Sequence, residues 1–113
     1  GGHNISSSYV IADWIKNQTQ KVNLVVAMMK DKEHKEFMKS FEGLVNSITI
    51  IDIPNQDGGI SKKELKEKIS NLNFTLKISD SIDSAIRSNS KDINAITLVC
   101  GSLYLIGEVL NLN

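Results

Sequence analysis

The sequence predicts an α/β fold, a doubly wound and mostly parallel sheet with helices on both faces. Three observations predict it. Helical and extended patterns alternate along all 113 residues, in the order αβαβαβαβα. The extended runs at 23–29 and 94–100 are buried-strand runs, the first apolar from Leu24 onward, as strands covered on both faces are. Capping residues stand at the start of several intervening helical patterns.

Each element follows in chain order. Ser6, Ser7 and Ser8 offer capping hydroxyls to a first helix, in which Val10, Ile11, Trp14 and Ile15 form an apolar stripe. Trp14 is expected to pack in the core. Residues 23–29 (Asn-Leu-Val-Val-Ala-Met-Met) make the first strand. Phe37, Phe41 and Leu44 recur at helical spacing from Lys32 onward, with His34 expected on the solvated side. Residues 47–53 form the next strand, closed by Pro54 and followed by the turn-rich Asn55-Gln56-Asp57-Gly58-Gly59. Ser61-Lys62-Lys63-Glu64 is a capping box opening a helix with Leu65, Ile69 and Leu72 on one face. A short alternating strand at 74–78 leads to a helix capped by Asp80 or Ser81 and carrying Ile82, Ala85 and Ile86. The last strand, 94–100, passes into a final helix at 103–112. A sheet of this kind ordinarily begins with a strand, so one preceding the first helix is expected to be missing.

Composition narrows the functional classes. Hydrophobic residues at 41% and charged residues at 23% fit one soluble domain spanning 1–113. Thirteen basic and thirteen acidic residues cancel, so no general attraction to nucleic acid or a membrane surface is expected. Lys30, Lys32 and Lys35 still form a local basic cluster. The single cysteine precludes an internal disulfide and a cysteine-only metal site, and a reducing, cytoplasmic compartment is expected. Cys100 itself is expected to be a buried hydrophobe. No apolar run approaches the ~20 residues of a membrane span, and no signal peptide opens the chain.

Doubly wound sheets bind ligands at the carboxyl ends of their strands. Four loops should crowd there: His3-Asn4, Lys30-Asp31-Lys32, residues 55–59, and Gly101-Ser102. At the last of these, strand formers end in Gly-Ser and a helical pattern begins at once. That switch aims unpaired backbone N–H groups above the sheet, where a carboxylate or phosphate is favoured. The sequence contains neither a P-loop nor a Gly-x-Gly-x-x-Gly motif, so autonomous nucleotide binding is not supported. Its two histidines are far apart and make no metal site. Asp52-Ile53-Pro54 with Asp57-Gly58 echoes the phosphoacceptor region of receiver domains. The acidic pair and the lysine that such a domain needs are absent.

Gly101-Ser102-Leu103-Tyr104-Leu105-Ile106-Gly107-Glu108-Val109 resembles the C-terminal signature of the folylpolyglutamate synthase/dihydrofolate synthase family, within the Mur ligase superfamily. Gly2-His3-Asn4 resembles the end of that family's Asp-Gly-Ala-His-Asn motif, with Gly for Ala. Ala27-Met28-Met29-Lys30-Asp31-Lys32-Glu33 resembles its Gly-Met-Leu-x-Asp-Lys-Asp segment. The resemblance spans essentially the whole chain, although residues 46–92 match in pattern more than in letters.

The resemblance implies an ATP-dependent ligase that joins L-glutamate to a pteroate or folate carboxyl group through an acyl phosphate. It implies that this chain is the C-terminal, glutamate-binding domain. ATP and Mg2+ would be held mainly by an N-terminal P-loop domain that the chain lacks, leaving it inactive alone. By the same resemblance His3 and Ser102 would help bind the incoming glutamate, and Lys32 would meet one of its carboxylates. Asp31 would orient Lys32 or cap the following helix, with Asn4, Gly101 and Tyr104 in support; no catalytic residue or metal ligand is assigned. On the residues alone, Ser102 as a plain helix cap and Lys32 as a solvated lysine stay open.

Two departures from the pattern are visible: the family's Asp before Gly1 is absent, and so is an Arg in the loop at 55–59. A non-catalytic α/β binding module, or a fragment of a decaying ligase gene, is the alternative from another class. The Mur ligases of cell-wall synthesis share the fold, but the tail is closer to the folate branch. Whether the first glutamate is added or a polyglutamate tail extended stays open.

Overall fold

The computed structural model describes residues 5–31, 33–53 and 58–100. Its elements run α1 (Ile5–Lys16), β1 (Lys21–Val26), α2 (His34–Lys39), β2 (Ser47–Ile50), α3 (Lys62–Lys68), β3 (Leu76–Ile78), α4 (Ile82–Asn89) and β4 (Ala95–Cys100). The four strands are all parallel, in the order β3-β2-β1-β4.

Chain handedness explains where the helices lie. Crossovers between parallel strands are right-handed, so β1-α2-β2-α3-β3, stepping one way, leaves α2 and α3 on one face. The step from β3 to β4 runs back across the sheet and places α4 on the other. The direction of winding thus reverses between β1 and β4, where doubly wound sheets open a crevice.

Strand alternation feeds both layers. Val22, Leu24, Val26, Ile48, Ile50 and Cys100 meet Ala12 and Ile15 of α1, Phe37, Met38 and Phe41, and Leu65 and Ile69 in the larger core. Phe37 and Phe41 sit edge to face, with ring centroids 5.5 Å apart. Val25, Ala27, Ile51, Ile53 and Val99 form a smaller core with Ala85 of α4. Each fully buried Leu, Ile or Phe contributes about 1.5–3 kcal/mol of transfer free energy.

The two cap motifs form as the sequence predicts. Ser61 Oγ accepts from the Glu64 N–H at 3.2 Å, and Ser81 Oγ from the Ser84 N–H at 3.1 Å. Ser81 rather than Asp80 is therefore the cap of α4. The strands are shorter than their apolar runs, β2 ending at Ile50 and β3 holding three residues. The predicted final helix, 103–112, lies outside the described residues.

Four expectations are corrected. The helix α1 begins at Ile5, so Ser8 lies inside it instead of capping it; its hydroxyl is 2.8 Å from that of Ser40. The buried face of α1 is Ser8, Ala12 and Ile15, while Val10 and Trp14 are 71% and 42% exposed. Small residues at 8 and 12 let α1 approach α2, and Val10, two positions round from Ser8, is turned away. Trp14 is thus not a core residue. His34, expected in solvent, is 4% exposed in the first turn of α2. That helix is also shorter than its apolar spacing suggests. It ends at Lys39, and the chain leaves through Gly43 at φ 77°, so Leu44 packs against the core from a turn.

Candidate functional site

The rim at the carboxyl ends of the strands is assembled by backbone hydrogen bonds. Past the end of β1, the Ala27 N–H donates to the Cys100 carbonyl over 3.4 Å. The last residue of β4 therefore abuts the segment that leads into Lys30-Asp31. On the other side, Ile60 N–H donates to Met28 O at 2.9 Å and Lys30 N–H to Gly58 O at 2.8 Å. Met29 and Gly59 form an antiparallel bridge between them. The loop after β2 is thus zipped onto the loop after β1. A Cβ on Gly58 would stand 2.6 Å from Met29 Cε, the flexible end of a side chain that can shift.

Two of the four loops expected at this rim are brought together, at 30–31 and 58–59. Of the candidate ligand residues, Asp31 is described: it is exposed and stands two positions before Glu33, the cap position of α2. His3, Asn4, Lys32, Gly101, Ser102 and Tyr104 lie outside the described residues.

Sequence reasoning passed over two groups that shape the rim. The His34 ring is buried and its Nε2 lies 2.8 Å from the Met29 carbonyl oxygen. A carbonyl only accepts, so Nε2 carries the proton and donates. The signal was present, because His34, Phe37, Met38 and Phe41 fall at i, i+3, i+4 and i+7 on one buried stripe.

Lys62 is the second. Its backbone N–H donates to Asp52 Oδ1 at 2.8 Å, and its Nζ to Ser79 O at 3.3 Å and Asp80 Oδ1 at 3.1 Å. One residue thereby ties the exits of β2 and β3 to the start of α3. Asp52, the residue that echoed a phosphoacceptor, accepts from the first turn of α3. The Lys62–Asp80 ion pair involves a carboxylate that is 98% exposed, so it adds little beyond geometry.

Cys100 closes the floor of the rim. It is 1% exposed, and burial pushes its thiol up to about 12 from 9.0, which keeps it protonated and unreactive at neutral pH. Among the described residues no group of three His, Cys, Asp or Glu is placed to hold a metal ion. No helix among them is long and apolar enough to cross a membrane.

Comparison with known proteins adds to this geometry. The sequence profile described as dihydrofolate synthetase, C-terminal domain, matches residues 1–112. Among solved structures, E. coli FolC in complex with ADP, without folate substrate, has a TM-score of 0.79 at 21% identity, covering 98% of this chain and 27% of that one. Mycobacterium tuberculosis folylpolyglutamate synthase complexed with ADP gives 0.81 at 13% identity, covering 97% and 28%. The Thermotoga maritima folylpolyglutamate synthase gives 0.77 at 17% identity, covering 98% and 26%. At such identities the likeness establishes a shared fold. The chain spans about a quarter of the length of these structures. No curated protein sequence matches it.

Proposed function

The chain belongs to the dihydrofolate synthetase C-terminal domain family, and from that premise we propose that it is the glutamate-binding domain of an ATP-dependent folate ligase. In this reading residues 1–113 form that domain and work with a P-loop domain that binds ATP and Mg2+. The solved relatives bound to ADP support that assignment of the nucleotide. So does the lack of a phosphate-binding loop in this sequence.

The chemistry is amide formation in two steps. The carboxylate of a pteroate or folate takes the γ-phosphoryl group of ATP, giving an acyl phosphate and ADP. The glutamate amino group then attacks the acyl carbon, forming the amide and releasing inorganic phosphate. What this chain contributes is recognition of a dianionic amino acid. Lys32 meets one carboxylate, His3 and Ser102 supply further donors, and the helix opening at Ser102 adds backbone N–H groups. Asp31 orients Lys32, while Asn4, Gly101 and Tyr104 support the pocket. The enzyme works in the cytoplasm.

The observation that carries this reading is the zipped rim. Hydrogen bonds from Lys30 to Gly58 and from Ile60 to Met28 hold the exit of β1, and Cys100 ends beside it. The segments leading to Lys32 and to Gly101-Ser102 therefore leave from adjacent strands.

Positioned reactants and a stabilised transferring phosphoryl group are both needed for turnover. The chain alone should therefore release no ADP with ATP, dihydropteroate or folate, and L-glutamate, whereas the enzyme containing it and its P-loop domain should. ATP turnover by the chain alone, or a full-length enzyme that ignores glutamate, contradicts the proposal.

A further inference from the structure

The face of the sheet that carries α4 holds a second polar site, away from the rim. Helix α4 crosses β1 and packs through Ala85, which leaves the flank toward β3 open. Parallel strands covered on both faces are ordinarily apolar throughout. Here Asn23, Ser47, Thr49 and Asn89 are polar, yet each is no more than 4% exposed.

Most of this buried polarity is satisfied. Asn23 Oδ1 accepts from Asn46 Nδ2 at 2.8 Å and from Ser47 Oγ at 2.9 Å. Asn89 Nδ2 donates to Ala85 O at 2.9 Å and to Thr49 Oγ1 at 3.4 Å, which fixes the amide's orientation. Asn89 Oδ1 is left as the one buried side-chain polar atom without a partner among the described residues. A buried acceptor with no donor is costly, and such groups in native proteins have a reason.

Asn89 lines a groove of about 640 Å3 together with Asn23, Ser47, Lys77, Ser88 and Lys91. Asp92, the groove's acid, faces Lys21 at 3.9 Å, while Lys77 and Lys91 form no ion pair among the described residues. The groove thus combines two uncompensated ammonium groups, several hydroxyls and a buried acceptor that lacks a donor.

We propose that this groove binds a small organic anion, a phosphate or carboxylate carried on a hydroxylated frame. Lys77 and Lys91 hold the anionic group, and the ligand's hydroxyls meet the Ser88 hydroxyl beside Asn89. The site lies toward the amino-terminal ends of β2 and β3, so it is independent of glutamate recognition at the rim, and either can fail alone.

The test is a titration of the 15N-labelled full chain, followed by NMR, with glycerol 3-phosphate, glycerate and glycerol as probes. Saturable shifts at Asn89, including its side-chain amide, and at Lys77 and Lys91 are expected with an anionic probe, and not with glycerol. Response to both anions shows that a carboxylate suffices; response to glycerol 3-phosphate alone shows that phosphate is required. The exposed-site double variant Lys77→Gln/Lys91→Gln, whose other resonances should be unchanged, is expected to weaken binding about tenfold or more. No saturable shift with either anion, an equal response to glycerol, or undiminished binding by the double variant overturns the proposal.

Discussion

His34 Nε2 donates to the carbonyl oxygen of Met29 over 2.8 Å, joining the first turn of α2 to the exit of β1. The bond is made by a side chain that is 4% exposed, so water does not replace it cheaply. His34→Ala should cost about 1–3 kcal/mol, because it removes the donor and leaves a poorly hydrated carbonyl behind. Urea unfolding of the two proteins measures it, and an unchanged midpoint would show that the bond contributes nothing.

Gly43 and Gly58 should respond differently to alanine. At Gly43, φ is 77° and nothing stands within 4 Å of an added Cβ, so the penalty is backbone strain alone, about 1–2 kcal/mol. At Gly58 the added Cβ meets only the flexible end of Met29. Gly58→Ala should therefore be the milder change, under about 1 kcal/mol. Thermal or urea unfolding ranks the pair, and a larger loss at Gly58 would mean that Met29 cannot move.

Burial of Cys100 has a signature in alkali. Its thiol titrates at about 12 in the folded chain against 9.0 ordinarily. The folded pKa is the higher one, so this contribution to stability is complete below 9.0 and is lost as pH rises from there toward about 12. Wild type should lose roughly 2 kcal/mol more than Cys100→Ala between about pH 9 and pH 10.5, read by urea unfolding at each pH. Parallel curves for the two proteins would contradict it. Native protein near pH 8 should also resist alkylation that proceeds once it is denatured.

The fold was legible because its signals are local. The apolar runs around Leu24 and Ile48 mark strands by themselves, and Ser61 and Ser81 announce their helices by hydroxyl spacing. The face that α1 buries was not legible, because hydrophobicity favoured Val10 and Trp14. Packing instead chose Ser8 and Ala12, which are small enough for close approach to α2. His34 was misread because a histidine counts as polar even when it continues the stripe of Phe37 and Phe41.

At the rim, the meeting of Lys30 with Gly58 is made by main-chain groups, which no side-chain motif encodes. The groove at Asn89 depends on strand register, which sets Asn23 beside Ser47 and Thr49 beside Lys77 from distant parts of the sequence. The glutamate-binding roles proposed for Lys32 and Ser102 rest on family resemblance, and a spacing argument alone would have left them as a solvated lysine and a helix cap.

The most direct test of glutamate recognition is the steady-state KM for L-glutamate in the full-length enzyme carrying Lys32→Ala or Ser102→Ala. Loss of a hydrogen bond to a charged group is worth roughly 1.5–3 kcal/mol, so KM should rise about ten- to hundredfold while the KM for ATP changes little. A glutamate KM equal to that of the unaltered enzyme in both variants would contradict the account.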